Sequence, residues 1–408
     1  MSAEVPRSSA PPVASVRSGA REAPRVWRPT FQGVLLGITA VLHASGAAAW
    51  WHAARAWQLP QAGGLAVVAS LALALAFRPI VLDTFPDKPR SPWRVWLIEL
   101  PYFAHWCALL PTLLTWLVAL PIGAAQTLVG DPSPASPGAW AWRAYLAGLA
   151  LSSWGIFVNR MRLKTRRVGV RLRGLPGAFD GFRIVQLSDL HVGTFTSWRM
   201  TRNWIRHANG LGADLVVVTG DLVSGGVAFH DRIARLVGML RAPEGVAVVP
   251  GNHDYFGDGQ PLFGLLEDAG VRVLRNASFF IERRGSRLMV GGVDDAWTGR
   301  SDLAQAMAER ERGVPVVLLA HDPALFATAA AHGIELVLSG HTHGGQVAMP
   351  LLARWVNLSA WAHRYRLGVY REGNSTLVVS AGLGTTGPPI RLGVMPEVVL
   401  IELRAADP

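Results

Sequence analysis

The sequence predicts an α/β domain preceded by an all-α membrane domain of about four transmembrane helices, and three observations carry that prediction. Half of the 408 residues are apolar and 16% are charged, which excludes an intrinsically disordered chain. Eleven of the 16 Trp fall within residues 1–160, so an apolar, tryptophan-rich first part is followed by a part of ordinary composition. From about Arg166 onward, short β-branched runs alternate with helix-like segments, the pattern of an α/β fold with substantial parallel pairing.

In the first part, four apolar stretches stand out: Phe31 to Trp51, Leu59 to Phe77, Trp96 to Leu120 and Gly138 to Val158. Each is near the ~20 residues that cross a bilayer as a helix. Trp50, Trp51, Trp57, Trp93, Trp96, Trp140 and Trp142 lie near the ends of these stretches, where an aromatic belt would sit. The connecting segments alternate in charge. Residues 1–30 carry five Lys/Arg, the first connection only Arg55, the second Arg78, Lys88, Arg90 and Arg94, the third none before Arg143, and five follow in 160–167. By the positive-inside rule, the N-terminus and everything after the fourth stretch face the cytoplasm. A cleaved signal peptide is the competing reading of the first stretch, but a charged leader of this length and three further apolar segments argue against it. The expected organisation is a disordered cytoplasmic tail (1–30), a transmembrane domain (31–160), a basic linker (161–180) and an α/β domain (181–408).

Net charge is +11, yet the second part is nearly balanced, with 27 basic against 22 acidic residues. A nucleic-acid partner is not expected, because the basic residues form no stripe on a folded domain. The densest run, Arg160, Arg162, Lys164, Arg166 and Arg167, follows the last apolar stretch and points to the membrane surface. The single cysteine, Cys107, excludes an intrachain disulfide and a thiolate cluster. A transporter is disfavoured because Glu99 is almost the only charge within the spans.

In the second part, Arg183 to Leu187, Asp214 to Thr219, Val246 to Val249, Leu288 to Gly291, Pro315 to Leu319 and Ile334 to Leu338 are expected as buried strands. Ser197 to Asn209, Asp231 to Arg241, Pro261 to Ala269, Asp302 to Arg312 and Pro323 to His332 are expected as the helices between them. Strand after strand ends in chemistry: Ser188-Asp189-Leu190-His191, Gly220-Asp221, Gly251-Asn252-His253-Asp254, His321-Asp322 and Gly340-His341-Thr342-His343-Gly344. Strand ends of an open α/β sheet converge on one edge, so five turns deliver Asp, His and Asn to one place. Singly, Asp189 or Asp221 reads as a cap or turn residue, and His321 as a structural histidine. His341 and His343 are harder to dismiss, since two imidazoles flank one glycine-bracketed turn. Taken together, five such turns describe a metal site of oxygen and imidazole donors, suited to Mn, Fe, Zn or Mg.

The ordered blocks Asp-X-His, Gly-Asp, Gly-Asn-His-Asp, His and Gly-His-X-His resemble the calcineurin-like metallophosphoesterase superfamily over about residues 180–403. The ending from Ser380-Ala381-Gly382-Leu383-Gly384 through Pro389, Arg391 and Pro396-Glu397 is similar to its bacterial membrane-associated phosphodiesterase branch, which includes the UDP-2,3-diacylglucosamine pyrophosphatases. The resemblance implies a four-layer αββα sandwich with a dimetal site at the strand ends. It implies Asp189, His191 and His343 as ligands of a first divalent metal, Asn252, His321 and His341 as ligands of a second, and Asp221 as the bridge. His253 would be the non-ligand histidine at the scissile phosphate, with Asp254 orienting it. Two such metals, manganese first among the candidates, activate water and stabilise the oxygens of an in-line displacement. The second block, Gly-Asp-Leu-Val-Ser, lacks the arginine of the protein phosphatases and places Ser224 where relatives carry an acid or amide. Neither the metals' identity nor the oligomeric state is encoded legibly.

The expected function is a membrane-anchored metallophosphoesterase that cleaves a phosphodiester or pyrophosphate bond, on a lipid-linked substrate. A general phosphodiesterase that is merely tethered is the alternative, and a sensor with a dead hydrolase domain is opposed by the intact set of seven ligands. The segment Leu351 to Leu367, with Trp355, Trp361, Arg354, Arg364 and Arg366, is expected near the mouth of the site as a lid or a packed loop.

Overall fold

The computed structural model of the chain describes residues 27–77, 79–80, 89–128, 136–348 and 363–406. The expected tail lies almost wholly outside the described residues, as do Arg354, Trp355 and Trp361.

All four apolar stretches are helical. They form Trp27–Ala56, Pro60–Phe77, the run from Pro92 through Leu100–Leu128, and Pro137–Ser153, which a π-helical turn, Trp154–Val158, and a 3-10 turn, Asn159–Met161, extend. Two helices, Gln32–Ala56 and Pro92–Leu128, are long and apolar enough to cross a membrane, whereas Gln61–Phe77 is shorter. At 1.5 Å per residue, the 18 residues of Pro60–Phe77 reach about 27 Å and the 17 of Pro137–Ser153 about 26 Å. Pro60–Phe77 falls short of a hydrocarbon layer of ~30 Å, and Pro137–Ser153 reaches it only with the turns that carry it on to Met161, so two of the four expected spans meet the length and composition requirement by themselves. Large apolar side chains face outward, Leu65 at 70%, Leu75 at 78% and Leu97 at 73% exposure. Glu99 is instead fully buried between Arg90 and Arg94, each 2.9 Å from its carboxylate.

The rest of the chain is two six-stranded sheets. The first runs β1 (Lys164–Leu172), β12 (Glu397–Ala405), β2 (Arg183–Leu187), β3 (Leu215–Thr219), β4 (Val246–Val249) and β5 (Arg272–Val273). The second runs β10 (Gly368–Glu372), β11 (Ser375–Val379), β9 (Leu336–Ser339), β8 (Val316–Leu319), β7 (Ser286–Gly292) and β6 (Ala277–Arg283). The β2 to β5 block and the β11, β9, β8, β7 block are parallel, with antiparallel pairings at β12 to β2, β10 to β11 and β6 to β7. Alternation along each strand divides the apolar residues between two faces. Leu215, Val217, Ala247 and Val249 meet Val290, Val317, Leu319 and Leu338 between the sheets. Val216, Val218 and Val248 turn outward onto Trp204, Ile205, Ile233 and Leu266 of the covering helices. Met289, Leu318 and Val337 do the same under Ala306, Phe326 and Ala329 on the far side. The result is the expected four-layer αββα arrangement.

Three expectations change. The segment 161–180 is largely not a linker: Lys164–Leu172 is an edge strand paired in parallel with β12 over its whole length. Its charges are used internally, since Lys164 and Arg166 both bind the buried Glu397 carboxylate at 3.1 and 3.0 Å, and Arg160 is buried at 2% exposure. Of the basic run, Arg162 and Arg167 are exposed. The helix expected over Asp302 to Arg312 is only Leu303–Ala306, because Glu309-Arg310-Glu311-Arg312 offers no apolar stripe to bury.

Candidate metal centre

Five turns at the strand ends bring the expected ligands together. Asp189 and His191 follow β2, Asp221 follows β3, Asn252 follows β4, His321 follows β8, and His341 and His343 follow β9. Two groups of donor atoms lie within ligand distance of one another: Asp189, His191, Asp221 and His343, and Asp221, His321 and His341. Asp221 belongs to both, as a bridging carboxylate must. His191 Nε2 and His343 Nε2 are 3.0 Å apart, and Asp221 Oδ2 lies 3.4 Å from His191 Nε2 and 3.3 Å from His321 Nε2. Asn252, at the end of β4, carries a buried Oδ1 without a hydrogen-bond partner among the described residues.

The backbone is strained to achieve this. Asp189, His191, Asp221, His341 and His343 all have positive φ, between 43° and 69°, a region that costs a non-glycine residue about 1 kcal/mol or more. Gly251 is required on the opposite side, because a Cβ there would collide with the Asp221 carboxylate.

Electrostatics fit a cation pair. Burial pushes the imidazoles of His191 and His341 down to about 4 and that of His343 well below its ordinary value, so these rings are held in the neutral, metal-binding form. Burial acts against the Asp221 charge, but His321, His253 and hydrogen bonds from His191 and His321 outweigh it and hold the carboxyl well below the usual range. His321 moves the other way: burial opposes its protonation, and Asp221 overcomes that and raises it. The His321 Nδ1 to Thr219 carbonyl contact of 2.8 Å requires the proton on Nδ1, leaving Nε2 toward Asp221. Buried imidazole and carboxylate donors that converge, with an orphaned amide oxygen beside them, fit two divalent cations.

His253 stands outside both groups, packed edge-on against His191 with ring centroids 4.7 Å apart. Its Nδ1 donates to the Ser224 carbonyl at 2.9 Å, while the Ser224 hydroxyl itself donates to the His191 carbonyl at 3.1 Å. Asp254 does not orient His253, contrary to expectation. Its carboxylate accepts from the backbone N–H groups of Leu222, Val223 and Gly251 at 2.8, 3.1 and 2.9 Å, clamping the Asp221 and Asn252 turns together. Three residues escaped the sequence reading as site elements. Arg391 is fully buried with Nη2 3.4 Å from His343 Nδ1. His363 packs edge-on on His341 at 5.3 Å, and Trp297, 56% exposed, meets Phe256 at 5.9 Å beside His253. Arg391 stands in the ending block that carries the family resemblance, which marks the residue but not its contact with His343, and His363 and Trp297 belong to no such block.

Residues 182–345 match the calcineurin-like phosphoesterase family. The chain belongs to the calcineurin-like metallophosphoesterases and is a metal-dependent phosphoesterase hydrolase. It is 30% identical over 237 residues to the metallophosphoesterase YkuE of Bacillus subtilis (strain 168), covering 57% of this chain and 82% of that relative, and 31% identical to YkoQ of the same organism, covering 56% and 86%. It is 33% identical to the Bos taurus transmembrane protein with metallophosphoesterase domain over 59% of this chain, spanning 56% of that relative's length. The apolar helices and relatives of that name associate this chain with the membrane.

Proposed function

We propose that this protein is a multi-pass membrane enzyme, its catalytic domain on the cytoplasmic side, that hydrolyses a phosphodiester or pyrophosphate bond of a lipid-linked substrate with two divalent cations, manganese in the first place. The observation that supports the lipid-linked reading is where the ligand-bearing loops sit. Phe195, four residues after His191, packs edge-on against Phe103 of the bundle at 5.3 Å. Val347, Ile390 and Leu392, from the loops around His343 and Arg391, join Phe77, Leu100 and Ile156 in one apolar cluster. The catalytic loops are thus seated on the bundle, where a lipid-anchored phosphate would be presented.

Bound cations would supply Lewis acidity at the phosphoryl oxygens and to the attacking water. Asp189, His191 and His343 would hold the first, Asn252, His321 and His341 the second, and Asp221 both. His253 hydrogen-bonds a phosphoryl oxygen through Nε2 and, when protonated, passes that proton to the leaving oxygen. Ser224 keeps the ring in place, and Phe256 with Trp297 forms an apolar wall beside it.

Full-length protein in lipid nanodiscs, loaded with Mn²⁺, should favour a lipid-linked pyrophosphate over bis(p-nitrophenyl) phosphate in kcat/KM, and a C-terminal reporter should read cytoplasmic. Equal kcat/KM for both substrates would leave the merely tethered phosphodiesterase.

A further inference from the structure

We propose that the end of the last bundle helix, through Gly155, Asn159 and Arg160, is a positioning element for the ligands of the first cation, Asp189, His191 and His343. The inference rests on the two-cation reading of the centre and not on the substrate. Asn159 Nδ2 donates to the Arg391 carbonyl at 2.9 Å, and Arg391 N–H points back to the Gly155 carbonyl at 3.4 Å. Gly155 permits that approach: a Cβ there would stand 2.7 Å from Ile390 and 2.9 Å from Leu392 side-chain atoms. The helix therefore grips the loop on either side of Arg391.

Arg391 carries the grip into the site. Its guanidinium binds the Gly384 carbonyl through Nε and Nη2 at 2.9 and 2.6 Å and the Ala381 carbonyl through Nη2 at 2.9 Å. The same Nη2 is the group 3.4 Å from His343 Nδ1. Gly384 N–H then donates to the Asp189 carbonyl at 2.7 Å. A second arm reaches His191. Arg160 Nη1 donates to the Phe195 carbonyl at 3.3 Å, next to Thr196, whose hydroxyl accepts from Gly193 N–H at 2.7 Å and reaches the His191 carbonyl at 3.4 Å.

The second cation's ligands are braced differently. His321 is fixed by the Thr219 carbonyl, and the Asn252 turn by Asp254, all within the sandwich. Outer residues that orient ligands typically change metal affinity 10 to 100-fold when removed. Disturbing the helix end should therefore loosen one cation and spare the other.

The test uses full-length, Mn²⁺-loaded protein in nanodiscs, challenged with a chelator while Mn²⁺ release is followed by electron paramagnetic resonance. Wild type should hold two ions. Asn159→Ala and, independently, Gly155→Ala should each weaken one ion about 10 to 100-fold, the same ion that His343→Ala loses, with the other changed less than about threefold. Leu97→Ala, on the outer surface of the bundle, should release both as wild type does. Unchanged release in both variants overturns the inference, and so does equal weakening of both ions. A wild type that holds fewer than two ions would instead refute the two-cation reading on which it stands.

Discussion

The bundle and the sandwich distribute their side chains by opposite rules. In the sandwich, Val217, Leu319 and Leu338 have no exposure, and charged groups line the outside or one edge. In the bundle, Leu75 and Leu97 are mostly exposed while Glu99, His43 and His105 lie inside, as expected where lipid rather than water surrounds the helices. The catalytic centre lies close to the seam between them. The reactive strand ends, with their strained turns, are supported from the sheets on one side and from the helix ends on the other.

Among substitutions that leave both metals bound, the largest effect should come at His253, which lies outside both ligand groups. His253→Ala is expected to lower turnover ~10² to 10⁴-fold, the range of a general acid, with two metals retained in elemental analysis. Loss of one metal would make His253 a ligand. The contrast in burial is sharpened by a pair of truncations: Leu319→Ala should destabilise the sandwich by about 2 to 5 kcal/mol in denaturant unfolding, whereas Leu75→Ala in the bundle should change it by less than about 0.5 kcal/mol. Similar losses at both positions would break the comparison. The smallest effect is a pH dependence. Burial, helped by the charge of Asp221, raises the Asp189 carboxyl to about 6. Below about pH 6 a proton therefore occupies a metal ligand, and first-cation affinity should fall roughly tenfold per unit. Above it, this group adds no further change. Metal titrations between pH 5 and 8 would detect the bend, and an affinity flat across that range would contradict it.

How much of this could be read from the residues depends on whether the signal is local. Strands β2, β3, β4, β7, β8 and β9 are short, largely buried apolar runs, and the ends of all but β7 carry the ligand blocks, so both were legible. The strand β1 was not, because Lys164, Arg166 and Arg167 look like a solvated basic run until Glu397, more than 200 residues away, supplies a partner for Lys164 and Arg166. The hairpin strands β6 and β10 are half exposed, and β11 and β12 need their pairing to be recognised. At the site, ligand identity followed from residue type and order, but the role of Asp254 did not. Its adjacency in sequence to His253 suggests a dyad, whereas the 3-10 turn Asn252–Tyr255 aims the two side chains at different partners. Arg391 contributes through backbone carbonyls, contacts that no sequence pattern records.

The central claim is a two-cation centre joined by one carboxylate, and metal stoichiometry of Asp221→Asn against wild type tests it most directly. Wild-type full-length protein should bind two divalent ions per chain, and the variant fewer than two, with turnover lost beyond the effect of His253→Ala, because one substitution weakens both positions. Two ions retained by Asp221→Asn, with turnover near that of wild type, would contradict the account.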